Sequence, residues 1–78
     1  MKGHVDEAEP ICLELMRDFP HEVEGVDLLS MVYEARGQPA RAAELERQAI
    51  ELARVNPHVE PETRLMMHQR LKMLEQTA

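Results

Sequence analysis

Gly3 and Ala8 return as Gly37 and Ala42, each after an interval of 34 residues. Around those anchors the correspondence continues in kind: Lys2 with Arg36, Ile11 with Leu45, Leu15 with Ala49, Met16 with Ile50. A period of this size, without Gly-rich or Cys-rich punctuation, marks stacked pairs of helices rather than one enzyme core. With 78 residues, such a chain buries only about 60% of the surface that it exposes when unfolded. Its margin of stability is therefore thin, and small scaffolds of this kind need a staple or a partner.

Cys12 is the only cysteine, so no internal disulfide can form, and no Cys/His cluster suggests zinc. What remains is good helix packing, self-association, or membership of a larger protein. The chain is rich in Glu, Ala, Leu, Arg and Met and poor in the β-branched and aromatic residues that strands prefer. A net charge of −6, no Trp, one Phe and one Tyr argue against nucleic acid, which needs cationic surface and stacking platforms. The charge is uneven: residues 1–34 hold nine acids against Lys2 and Arg17, whereas the remainder holds seven bases against six acids. No apolar run reaches the roughly 18 residues needed to span a bilayer, and the start lacks a signal-peptide core. The expectation is a soluble, intracellular, cytoplasmic protein that binds neither membrane nor nucleic acid.

Apolar spacing predicts four helices. The first covers 5–18, with Ala8, Ile11, Cys12, Leu15 and Met16 on one side; Pro10 argues for a start near Asp6 or Glu7, or for a kink. The second covers 22–35, with Val26, Leu29 and Tyr33 along one face and Gly37 as its left-handed stop. The third begins at Gln38 or Pro39 and buries Ala42, Leu45, Ala49, Leu52 and Ala53, with Arg47 and Glu51 paired on the solvent side. A loop covers 55–61. The fourth helix, 61–76, carries Met66, Met67, Leu71, Met73 and Leu74 over a broad face. Short connections make neighbouring helices antiparallel.

Within this frame, Val26-x2-Leu29-Ser30-x2-Tyr33 followed by Ala42-x3-Glu46 resembles the tetratricopeptide repeat, the 34-residue unit with signature W-x2-L-G-x2-Y, then A-x3-F, then P. Val stands for Trp and Ser for Gly, while Glu46 in the aromatic position and Arg54 in the proline position depart from the pattern. Gly3, Ala8-x3-Cys12 and Pro20 match the second helix of a preceding repeat. The resemblance implies an all-α, right-handed solenoid of about four helices in one domain, 1–78. Residues 3–20 form a partial repeat, 22–56 a full one, and 61–77 a capping helix with a polar outer face. Its packing positions are Ala8, Val26, Leu29, Ser30, Tyr33, Gly37, Ala42 and Ala49. The fourth helix fits poorly, with Met67 at the tight position and Arg70 at the tyrosine position.

The resemblance implies protein binding in a concave groove formed by Glu24, Asp27, Met31, Glu34 and Ala35. These residues are acidic with one adaptable thioether, so they favour a basic or amphipathic protein segment; the Lys, Arg and Asn of a carboxylate clamp are absent from these positions. One alternative is a homodimer through exposed repeat edges, with Val5, Ile11 and Met16 near the contact, and another is the non-catalytic repeat domain of a larger enzyme. The methionines of the fourth helix read chiefly as core. His4, His21, His58 and His68 are scattered, no phosphate loop, nucleophile elbow or metalloprotease motif occurs, and Cys12 reads as a small hydrophobe. The expectation is therefore no catalytic residue, no metal and no cofactor.

Overall fold

The computed structural model describes residues 2–78, with side chains from Glu7 onward. These residues form four helices and no strand: α1 (Lys2–Asp18), α2 (Glu24–Ala35), α3 (Pro39–Val55) and α4 (Pro61–Thr77). The all-α expectation holds. None of the helices among the described residues is long and apolar enough to cross a membrane.

The helix ends follow from local chemistry. Gly37 takes φ +76°, its N–H donating to the Glu34 carbonyl at 3.0 Å while the Gln38 N–H reaches the Tyr33 carbonyl at 2.9 Å. That pair of bonds is a Schellman stop, which needs a residue free to adopt the left-handed region. Pro39 and Pro61 each open a helix, where the missing N–H costs nothing. Between them, the Asn56 side chain accepts the His58 N–H at 2.9 Å and Arg64 Nη2 donates to the Asn56 carbonyl at 3.1 Å, so the turn is tied to the first turns of α4.

One boundary differs from expectation. α1 is helical from Lys2 and runs through Pro10, rather than starting near Asp6. Pro10 is exposed and lies on the side of α1 away from Cys12, which packs with Leu29 and Val32 of α2, so burial on the opposite side of the helix holds the turn in place. The expectation that put Val5 at a contact lies outside the described side chains.

Contacts give the register. Cys12 packs with Leu29 and Val32, while Met16, one turn later, lies against Gly25. Val26 meets Ala49 and Ala53, while Ser30 Oγ, one turn on, donates to the Ala42 carbonyl at 2.7 Å. Leu74 meets Ala42 and Ala43, and Met67 meets Ala49 and Ala53. In each pair one residue number rises as the other falls, so successive helices are antiparallel. Among the described residues substantial packing joins α1 to α2, α2 to α3 and α3 to α4, and none of that extent joins α1 to α4. The result is a slab of 35 × 31 × 16 Å, open at both ends, in contrast to a closed bundle whose first and last helices meet.

Small residues allow this close approach. Ala42, Ala49 and Ala53 are fully enclosed, Val26 and Leu29 are buried, and Ala8 and Tyr33 are half-buried against the same clusters. Tyr33 is also held at its edge and faces: its hydroxyl lies 3.2 Å from Glu9 Oε2, and Arg36 and Arg41 stand 5.7 and 5.5 Å from the ring centre. Arg36 in turn pairs with Glu9 at 2.7 Å, which holds the Glu9 carboxyl below the usual carboxylate range.

Other expectations are corrected by the packing. Ile11 is 58% exposed instead of buried, because it sits about 100° around α1 from the Cys12 row that α2 covers. Met16 is half-buried beside Gly25 and Val26. Arg47 pairs with Glu75 of α4 at 2.8 Å, and Glu51 pairs with Arg54, in place of an Arg47–Glu51 pair. The outer face of α4 is not polar: Met67 and Leu74 are buried, but Leu65, Met66 and Met73 are 59%, 68% and 59% exposed, since α3 covers one side of α4 and nothing described covers the other.

Candidate functional site

At 100° per residue, Asp27, Met31 and Glu34 form one stripe of α2, and Met66, Arg70 and Met73 form one stripe of α4. Arg70 joins the stripes. Its Nη1 pairs with Glu34 Oε1 at 2.5 Å, its Nη2 donates to Ser30 Oγ at 3.2 Å, and its Nε donates to Glu46 Oε1 of α3 at 3.3 Å. One guanidinium therefore ties three helices, which suits the rigid fork of donors that Arg presents.

The five expected groove residues fall around this tie in different states. Glu24 and Ala35 are exposed, Met31 is 43% exposed, Asp27 is half-buried, and Glu34 is exposed but engaged by Arg70. The face is thus less acidic than those residues alone imply, because one carboxylate is matched by a cation contributed from α4. Leu28, 42% exposed, extends the apolar row beside Met31. Met66 and Met73 flank Arg70 on the other helix, so the surface alternates thioether, ion pair and thioether.

Beneath it lies a group that sequence reasoning passed over. Glu46 is completely enclosed. One of its oxygens accepts from Arg70, while the other, Oε2, is buried with no hydrogen-bond donor facing it. The Asp27 carboxylate, another acceptor, also neighbours the Glu46 carboxyl. Burial first, then the hydrogen bond and charge of Asp27, push Glu46 up to about 7, against the opposing pull of Arg70. A proton on Glu46 Oε2 resolves the conflict by donating to Asp27. The signal was present in the sequence: Glu46 stands in the row Ala42, Ala49, Ala53 that helical spacing assigns to the interior, and a charge there requires a partner. Arg70, within the Met67–Leu71–Leu74 row of α4, is that partner.

A second concavity lies between α1 and α3, walled by Met16, Pro20, Val26 and Leu52 with Glu22 and Glu51 at its rim; none of the expected groove residues lines it. Cys12 is 2% exposed, and burial raises its thiol above the ordinary range, which makes it a packing residue rather than a nucleophile. A scan of protein-family models, a search of curated proteins and a search of solved structures each return no match to this chain.

Proposed function

We propose that this chain is a non-catalytic protein-docking module of tetratricopeptide-like architecture, taking an amphipathic, basic segment of a partner protein across the α2 and α4 faces. The observation that carries the reading is the exposed pair of apolar rows, Met31 with Leu28 on α2 and Met66 with Met73 on α4, set about the Glu34–Arg70 tie with Glu24 and Asp27 alongside. Methionine side chains adapt to varied apolar partners, and flanking carboxylates steer a cationic one. Support for the solenoid comes from the open order of packing, the Gly37 stop, the enclosed Ser30 and the 34-residue interval. Glu46 has the raised proton affinity common in catalytic carboxylates, yet no substrate atom can reach a fully enclosed side chain, so it is read as part of the scaffold.

The test is a 1H–15N NMR titration with a synthetic Leu/Lys amphipathic helical peptide. Shifts confined to 24–35 and 62–73, with affinity lowered roughly tenfold by Met31→Lys together with Met73→Lys, support the reading; a factor of ten corresponds to about 1.4 kcal/mol, the scale of partly burying two such side chains. Shifts confined to α1, or affinity indifferent to the double substitution, refute it. A second reading, self-association, is favoured by Ile11, Leu13 and Phe19, which are 58%, 49% and 56% exposed along and just after α1. Light scattering across a dilution series tests it: a monomer at every concentration removes self-association and leaves the docking surface open.

A further inference from the structure

We infer that Asp27, Glu46 and Arg70 form a proton-operated latch that decides whether Glu34 is neutralised by Arg70 or offered to a basic partner. The inference rests on the docking reading and adds a regulation to it. Its foundation is geometric: an enclosed carboxyl with one oxygen unmatched, and one arginine shared between that enclosed carboxyl and an exposed one, with the Asp27 carboxylate as a further neighbour.

Consider what each element turns toward Glu46. From α2 come the Asp27 carboxylate and the Ser30 hydroxyl, and Glu34 beyond the guanidinium; from α4 comes Arg70; on α3 itself the neighbours one turn away are Ala42, Ala43, Ala49 and Ile50. When Glu46 carries its proton, Oε2–H is donated to Asp27 and Oε1 is a neutral acceptor, which fits the long 3.3 Å contact from Arg70 Nε. Arg70 then puts its charge on Glu34. When the proton leaves to solvent past the half-buried Asp27, Glu46 becomes an enclosed anion with one cation in reach. Charge-assisted N–H···O bonds close to about 2.7–2.9 Å, and a pair out of water attracts more strongly than a wet one. The Nε/Nη2 edge of the guanidinium, now divided between Glu46 and Ser30, swings onto both Glu46 oxygens. Nη1 withdraws from Glu34, whose side chain is already 40% exposed, and a free carboxylate joins Glu24 on the docking face. Because burial and Asp27 place the change near neutrality, the face is closed in mild acid and more acidic above neutral pH.

The free 78-residue chain tests the latch by NMR. The Glu46 13Cδ resonance is expected to titrate near pH 7 with the Arg70 15Nε resonance moving in step, and in Glu46→Gln the Arg70 resonance is expected to stay still. An Arg70 resonance that is flat through the wild-type titration overturns the latch. The Leu/Lys peptide, N-terminally acetylated so that its charge is constant, is then expected to bind about 3–10-fold tighter at pH 8 than at pH 6 in the wild type and equally at both in Glu46→Gln. The same pH ratio in both proteins overturns the latch as well. Absence of peptide binding at both pH values defeats the docking reading, while the Arg70 resonance still decides the latch. Should Glu46→Gln fail to fold, Asp27→Asn serves instead: removing the neighbouring anion is expected to lower the Glu46 midpoint, and an unchanged midpoint overturns the arrangement.

Discussion

Replacing Glu46 by Gln should remove most of the loss of stability that this protein suffers as pH rises from about 4.5 to about 7. In the fold the carboxyl titrates at about 7, against 4.5 for the unperturbed group. The folded state therefore keeps a proton that the unfolded chain has already lost between those values. The group's contribution to stability is full below about pH 4.5, declines through the window, and is gone above about pH 7. At about 1.4 kcal/mol per pH unit the interval is worth about 3 kcal/mol, undiminished by solvent because the side chain is enclosed. A chain of this length has roughly 4–12 kcal/mol of total stability, so the effect is large. Urea unfolding followed by circular dichroism should show the wild type losing about 2–3 M of midpoint from about pH 5 to about pH 8, for a slope of roughly 1 kcal/mol per molar. Gln keeps the shape and can still donate to Asp27, so its midpoint should change far less, and the difference between the two proteins isolates the Glu46 contribution. Equal pH dependence in the two proteins, or a wild type that gains relative stability at pH 8, would refute the protonated, Asp27-bonded state.

Two glycines separate close approach from backbone freedom. A Cβ at Gly25 would stand 2.9 Å from Met16 Cγ and 3.2 Å from the Cys12 carbonyl oxygen; the thioether can move, but the α1 backbone cannot without parting from α2. Gly25→Ala is expected to cost about 1–2 kcal/mol and to lower the melting temperature by roughly 4–15 °C. Gly37→Ala meets no neighbour but is held at φ +76°, so it should cost about 1 kcal/mol, with Asn tolerated better; equal melting temperatures for Ala and wild type would contradict the left-handed stop. Cys12 should react with a thiol reagent at least about 100-fold more slowly in the native protein than in urea, since the enclosed thiol waits for opening. Fast native labelling would show that the α1–α2 seam is open.

The number of helices and nearly all of their limits were legible in the chain. Phe19-Pro20, Gly37, Pro39, Asn56-Pro57 and Pro61 act within one or two turns of themselves, and their φ preferences and missing donors need no tertiary context. The interior rows of α2 and α3, Val26 with Leu29 and Ala42 with Ala49 and Ala53, were readable for the same reason: a helix of known period has its faces assigned as soon as it is drawn. α1 runs back past the start expected near Asp6 because a proline on the exposed side of a helix is held in place by burial on the opposite side, which is a property of packing. The exposure of Ile11, Met66 and Met73 likewise depended on how much of each helix a neighbour covers, and an open slab covers less than a closed bundle would. Arg47 chose Glu75 over Glu51, and Arg70 reached Glu34, Ser30 and Glu46 across 24 to 40 residues of chain. Composition and spacing could show that Glu46 needed a partner. Which cation would reach it, and that the second oxygen would be left without a donor, was decided by the antiparallel register of α2, α3 and α4, because electrostatics between distant residues acts through distance in space rather than along the chain.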